Sequence, residues 1–244
     1  NLFDEAVIAQ QQLQSVISPT PLLENSILSE EFAATILLKR EDLHKVRSYK
    51  IRGAFNKINS LTPSEKEQGI VCASAGNHAQ GVAFSCNMLQ IKGKIYMPKT
   101  TPKQKIKQVQ LFGKSYIEIE LIGDTFDDAY AKAVTDAKEA NKIFIHPFND
   151  YKVIAGQATV GLEILESHKE PIDFVFVPIG GGGLSAGLST VFEKLSPNTK
   201  IIGVEPEGAP TMKTAIAAGN NAPLASIDKF VDGAAVKQVG DLTF

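Results

Sequence analysis

Short apolar runs alternate with amphipathic stretches along most of this chain, and that alternation constrains the fold more than any other feature. Gly69–Ala73, Lys94–Met97, Tyr116–Leu121, Ile143–Ile145, Phe174–Val177 and Ile201–Val204 read as strands. Helical spacing predicts helices over His78–Leu89, Lys103–Phe112, Phe126–Ala140, Val153–Leu165, Leu184–Leu195 and Thr211–Ala218. Phe174–Val177 is apolar at every position, which predicts a strand buried on both faces. An earlier helix, Leu2–Ile17, is stopped by Ser18-Pro19-Thr20-Pro21. Strands alternating with helices imply βα units and an α/β fold class, with parallel sheets covered by helices on both faces. Two polar segments, Ser60–Glu65 and His146–Asp150, read as domain boundaries, with roughly three βα units between them.

The formal net charge is −2, which gives no electrostatic case for nucleic acid or an anionic membrane as partner. No apolar run approaches a transmembrane span, and the start resembles no signal peptide. Cys72 and Cys86 read as core thiols in a reducing, cytoplasmic compartment. His44, His78, His146 and His168 lack metal-ligand spacing, and no metal is expected. Asp127 and Asp128 read as helix-start charges behind Asp124 or Thr125 as cap. Met88, Met97 and Met212 read as core. The chain begins with Asn and stops after Phe244 without a recognisable stop signal, so a fragment is expected.

Three segments carry chemistry. Ser48-Tyr49-Lys50-Ile51-Arg52-Gly53-Ala54 follows a strand and a charged loop, Thr35–Asp42, and opens an amphipathic run through Ile51, Ala54, Phe55 and Ile58. Lys50 therefore lies near a loop-to-helix junction. A lysine amine attacks carbonyls when apolar or cationic neighbours favour its neutral form. The second segment, Gly180-Gly181-Gly182-Gly183-Leu184, follows a strand and opens a helix. Its glycines free the backbone to approach a ligand, and the helix start adds partial positive charge, as a phosphate requires. Gly181–Ala186 also fits G-x-G-x-x-A with Glu205 ending the next strand, so a dinucleotide-binding module is an alternative. The third segment, Ser74-Ala75-Gly76-Asn77-His78, again joins a strand to a helix and suits a carboxylate. Its bland reading is a helix start capped by Ser74 or Asn77.

A nucleophilic lysine, a phosphate cradle and a carboxylate loop together match what pyridoxal phosphate and an amino-acid substrate need. Lys39-Arg40-Glu41-Asp42-Leu43 and the three segments resemble the serine/threonine dehydratase family of fold-type II pyridoxal 5'-phosphate enzymes, over essentially the whole chain. Val204–Pro210 and Phe230–Val236 most resemble the family's biosynthetic threonine-dehydratase branch in bacteria. The resemblance implies a tryptophan-synthase-β-like fold with two open, twisted, mostly parallel sheets. It places residues 1–63 and 151–244 in a large cofactor-binding domain and 64–150 in a small mobile one. Lys50 is then the catalytic and cofactor-bearing lysine, and Asn77 bonds the ring hydroxyl. Gly180, Gly181, Gly182, Gly183 and Leu184 hold the phosphate, and Gly233 lies against the ring. Ser74, Ala75, Gly76, Asn77 and His78 bind the substrate.

The implied reaction is β-elimination from L-threonine to 2-oxobutanoate and ammonia, the first step of isoleucine synthesis. A homodimer or homotetramer is the implied assembly. Serine dehydratase and serine racemase are alternatives sharing the cofactor residues. Ala75 stands where the racemases place a serine hydroxyl, which favours elimination. Tyr49 replaces the family's usual Phe. Glu205 and Ala209 match a cation site seen in some relatives, but Thr211 replaces its Asp. The family's partner for the pyridine nitrogen, and any regulatory domain, would fall beyond Phe244.

Overall fold

The structure is a computed structural model that describes residues 1–244. The chain opens with helix α1 (Leu2–Leu13), strand β1 (Leu22–Glu24), helix α2 (Ser26–Phe32) and strand β2 (Leu37–Lys39). A 3-10 turn, Glu41–Leu43, leads to α3 (Lys50–Asn59) and α4 (Pro63–Gln68). Next come β3 (Ile70–Ala73), α5 (Asn77–Leu89), β4 (Gly93–Met97), α6 (Lys103–Gly113), β5 (Ile117–Leu121), α7 (Phe126–Glu139) and β6 (Ile143–Phe144). The remainder is α8 (Tyr151–Ser167), β7 (Phe174–Pro178), α9 (Gly183–Leu195), β8 (Lys200–Val204) and α10 (Thr211–Ala218). No helix is long and apolar enough to cross a membrane.

Strands β5-β4-β3-β6 form a parallel four-stranded sheet in that order. Side chains alternate between its faces. Ile70, Cys72, Ile95 and Met97 pack on one face with Ala79, Val82, Cys86 and Val109 of α5 and α6. Val71, Ala73 and Tyr96 pack on the other with Ala129, Ala133 and Ala137 of α7. The chain runs outward from β3 through β4 to β5, then returns to β6 on β3's far side. The winding therefore reverses between β3 and β6. Ligands of open α/β sheets bind outside the strands' carboxyl ends at such a reversal. The loops leaving β3 and β6 are Ser74–Gly76 and Ile145–Asp150.

Strands β7 and β8 form a parallel pair, and β1 and β2 an antiparallel one. The α/β class and the parallel pairing are as the sequence implies. Strand β2 lies in the expected Thr35–Asp42 segment, while β1, its antiparallel pairing with β2, and the helices α2 and α4 are additions. Helix α4 runs through the polar boundary segment, started by a Thr62–Glu65 capping box. The expected first helix ends at Leu13 and not at Ile17.

Two expectations of burial are corrected. Phe174 and Phe176 are 50% and 67% exposed, although their strand reads as fully buried. Helix α9 covers one face of the β7–β8 pair, through Val177, Leu188 and Phe192, and the face carrying the two phenylalanines is open. Met88 is also exposed, at the solvent end of α5, while Met97 and Met212 are core.

Helices α3, α8 and α9 meet through glycines. A Cβ on Gly156 would lie 2.6 Å from Gly53 Cα, and one on Gly187 would lie 2.7 Å from Ala158 N. These side-chain-free contacts bring the start of α3 against the middle of α8. The expected one-sided helix is buried on nearly every side, with Arg52, Gly53 and Asn56 inside as well as Ile51, Ala54, Phe55 and Ile58. It lies among α1, α5 and α8.

Candidate active site

Lys50 is the first residue of α3 and is half-buried. Its Nζ donates to the carbonyl of Pro147 at 2.9 Å, in the loop that leaves β6. The Tyr49 ring centroid lies 5.5 Å from the amine. From the other side, a Cβ on Gly81 of α5 would lie 3.1 Å from the Lys50 carbonyl. Lys50 is thus held between α5 and the loop that leaves β6. Burial pushes its ammonium down to about 8, because one carbonyl replaces a full hydration shell.

Two histidines share this pocket of potential. His78 is buried, with Nε2 donating to Ile145 O at 3.0 Å, which leaves its buried Nδ1 without a protein partner. Burial, with Lys50 adding to it, pushes His78 down to about 3. His146 Nδ1 accepts the amides of Phe148 and Asn149 at 3.2 and 2.8 Å. Burial pushes it down to about 4, with Lys50 adding to the shift and Asp150 opposing it. Both imidazoles are neutral at pH 7, so Lys50 is the cation of the group.

Helices α1, α2, α4, α7 and α8 are capped by the side chains of Asn1, Asn25, Thr62, Thr125 and Asp150. Helices α5 and α9 instead begin behind Gly76 and Gly182 with no side-chain cap. Neither Ser74 nor Asn77 caps α5. Ser74 Oγ accepts the Gly76 amide at 3.2 Å, and Asn77 lies exposed in the first turn. The amides of Ala75, Asn77, His78 and Ala79 donate to no protein atom, and neither do those of Gly180, Gly181, Gly182, Gly183 and Leu184. Open helix starts of this kind bind anions.

The glycines of the second loop also serve tertiary packing. A Cβ on Gly181 would lie 2.2 Å from the Phe148 ring, and one on Gly183 3.1 Å from Phe148 Cβ. At Gly182, with φ +91°, a Cβ would lie 2.6 Å from Thr243 Oγ1. Gly180 packs against Ala234 and the Gly233 carbonyl. The Gly181 carbonyl accepts from the Gly240 amide at 3.1 Å and from Thr243 Oγ1 at 2.7 Å. Protein therefore grips the loop by its Cα atoms and one carbonyl, while its amides remain unengaged. Gly233 is exposed, and a Cβ there would meet nothing within 4 Å.

Behind Lys50 lies a cluster that the sequence reading missed. Arg52 is fully buried and uses all five N–H donors. Nε and one Nη donate to Glu41 at 2.7 and 2.8 Å, and three further bonds reach Glu163 at 2.6 and 2.8 Å and Thr159 at 3.0 Å. Lys39 Nζ adds 2.6 Å to Glu163, Thr20 Oγ1 adds 2.5 Å to Glu41, and His44 Nε2 lies 3.1 Å from Glu41. The hydrogen bonds to Arg52, His44 and Thr20 hold Glu41 well below the usual carboxylate range, overcoming burial. One signal could have found this cluster: Glu163 is an isolated acid in the otherwise apolar Val153–Leu165 run.

The family model for pyridoxal-phosphate dependent enzymes matches residues 13–244. The chain belongs to that family. The fold is therefore that of a fold-type II pyridoxal-phosphate enzyme. The chain is 53% identical over 241 residues to the biosynthetic L-threonine dehydratase IlvA of Halalkalibacterium halodurans, covering 99% of this chain and 58% of that protein. It is 52% identical over 236 residues to the IlvA of Bacillus subtilis strain 168, covering 97% and 56%. The chain thus spans little more than half the length of these relatives. Among solved structures, the processed threonine deaminase isoform 2 of Solanum lycopersicum superposes with a TM-score of 0.93 at 41% identity, covering 99% of this chain and 70% of that one. Maize serine racemase superposes with a TM-score of 0.93 at 31% identity, covering 99% and 72%.

Pyridoxal phosphate fits what this family member offers. The chain offers two sets of unengaged amides, one buried unpartnered histidine nitrogen, open space at Gly233 and a lysine of lowered basicity. A dinucleotide fits less well. The acid its ribose would need, Glu205, instead accepts the amides of Met212 and Lys213 at 2.7 and 2.9 Å and so caps α10.

Proposed function

We propose that this chain carries the cofactor-binding core of a threonine dehydratase that eliminates the β-hydroxyl of L-threonine and releases 2-oxobutanoate and ammonia. The observation that carries the reading is Lys50, its amine on the carbonyl of Pro147, next to the Phe148 that packs on the glycines before α9, and its backbone against α5. The likeness to threonine dehydratases over nearly the whole chain supports the substrate.

In this reading Lys50 holds the cofactor, the amides of Gly180–Leu184 bind its phosphate, Asn77 bonds its ring hydroxyl and Gly233 flanks its ring. Bound there, pyridoxal phosphate supplies an electron sink for charge developing at the substrate Cα. Lys50 moves the Cα proton. Its lowered basicity leaves a useful fraction of neutral amine near pH 7–8. The amides of Ala75, Asn77 and His78 bind the substrate carboxylate, helped by the α5 dipole. The neutral His78 adds no competing cation. Ala75 supplies no proton to the face opposite Lys50, which favours elimination over inversion.

Residues 64–150 form the smaller lobe, which closes on 1–63 and 151–244 and excludes water from the site. The protein acts in the cytoplasm on a free amino acid, as a homodimer or homotetramer. The test is an absorbance spectrum of the protein with pyridoxal phosphate, before and after L-threonine, followed by borohydride and peptide mapping. A visible-edge band that changes with L-threonine and a label on Lys50 are expected. A label elsewhere overturns the site, and an unresponsive spectrum overturns the substrate.

A further inference from the structure

We propose that Arg52 is a positioning residue for Lys50, fixing the rotation of α3 so that the amine faces the Pro147 carbonyl. This rests on the reading that Lys50 carries the cofactor. Two residues along an α-helix turn the side chain by roughly 200°, so Arg52 and Lys50 leave α3 on opposite sides. Lys50 reaches forward to the β6 loop. Arg52 reaches back into the Glu41–Glu163 cluster and leaves no N–H free.

The anchor joins four separate elements. Glu41 belongs to the 3-10 turn, Glu163 and Thr159 to α8, and Lys39 to β2. A guanidinium fork against two carboxylates is directional, unlike an apolar contact, which tolerates rotation. The same bonds balance charge. Arg52 and Lys39 face Glu41 and Glu163, so both carboxylates are neutralised within the anchor. The groups around the Lys50 amine are the Pro147 carbonyl, the Tyr49 ring, His78 of α5 and His146 of the β6 loop.

The test titrates Lys50 without cofactor, by trace acetic anhydride labelling across pH 6–11 with peptide mapping, using Lys66 and Lys169 as internal controls. Wild type, Arg52→Ala and Arg52→Lys are compared. In both variants the Lys50 labelling rate at pH 8 should fall about fivefold, as a one-unit rise of its midpoint from about 8 gives. The controls should not move. Millimolar guanidinium should restore Arg52→Ala, and methylammonium should not. A folded Arg52→Lys with the wild-type Lys50 midpoint overturns the proposal. So does loss of folding in both variants that guanidinium does not repair, because the cluster then serves the fold alone. Borohydride mapping of wild type with pyridoxal phosphate separates the two ideas: a label away from Lys50 removes the functional reading, whereas the titration decides the role of Arg52.

Discussion

The amine of Lys50 donates to the carbonyl of Pro147, 97 residues further along the chain, at 2.9 Å. That bond joins the first turn of α3 to the loop at the winding reversal of the four-stranded sheet. It also shows what the protein does with this half-buried lysine, which is to give it a neutral acceptor and no carboxylate. Lys50 should therefore be the lysine that pyridoxal phosphate modifies fastest near pH 8. Mass spectrometry after brief exposure and borohydride should rank it first among all lysines.

The same placement makes stability depend on pH with a definite sign. The folded pKa of Lys50 is lowered from 10.5 to about 8, so between these values the unfolded chain binds more protons than the folded one. The cost of the buried ammonium is full below pH 8 and is relieved as pH rises toward 10.5. Lys50→Met should be more stable than wild type at pH 7 by urea unfolding. The gap should close as pH approaches 10.5, and a gap that widens would contradict the assignment.

His78 and His146 act in the acid range. Their folded values, about 3 and about 4, lie below the ordinary 6.5, so both are neutral in the fold and charged in the unfolded chain at pH 5. Stability should fall as pH drops from about 6.5 toward 4, with a slope of up to two protons. His146→Asn should remove about one proton from that slope in urea titrations at fixed salt.

Much of this was legible in the sequence because the periodicities are local. The strands β3, β4, β7 and β8 and the helices between them follow from apolar spacing alone, and α10 has the expected bounds. The glycine-led, uncapped starts of α5 and α9 were legible because glycine precedes each helix. Three features were not. The Arg52 cluster joins residues up to 143 positions apart, and no local pattern reports such a pairing. The grip of Phe148 on Gly181 depends on tertiary approach, which no local glycine pattern reports. The exposure of Phe174 and Phe176 depends on what covers the β7–β8 pair, which composition does not encode.

That grip predicts a contrast between two glycines. At Gly181 an added methyl would overlap the Phe148 ring, and overpacking of this kind costs about 1–3 kcal/mol. At Gly233 a methyl meets nothing within 4 Å, and φ there is not positive. Gly181→Ala should lower the urea midpoint, and Gly233→Ala should not. If Gly233 flanks the cofactor ring, Gly233→Ala should still weaken pyridoxal phosphate binding several-fold by fluorescence titration. Unchanged binding would remove Gly233 from the site.

If the proposed elimination is the reaction, its outcome should turn on a single side chain. Inversion at Cα requires a proton donor on the face opposite Lys50, and one amine does not reach both faces of a planar carbanion. Ala75, in the loop whose amides are free to hold a carboxylate, carries only a methyl. A positioned general acid is worth about 10²–10⁴-fold, so reprotonation without one should lose to departure of the β-hydroxyl. Incubation with L-threonine or L-serine should yield oxo acid in large excess over inverted amino acid, followed by keto-acid assay and chiral chromatography. Ala75→Ser restores a hydroxyl at that position and should raise the inverted fraction from L-serine at least tenfold. If Ala75→Ser leaves the product ratio unchanged, or wild type inverts as fast as it eliminates, the proton for the second face comes from elsewhere and Ala75 does not decide the outcome.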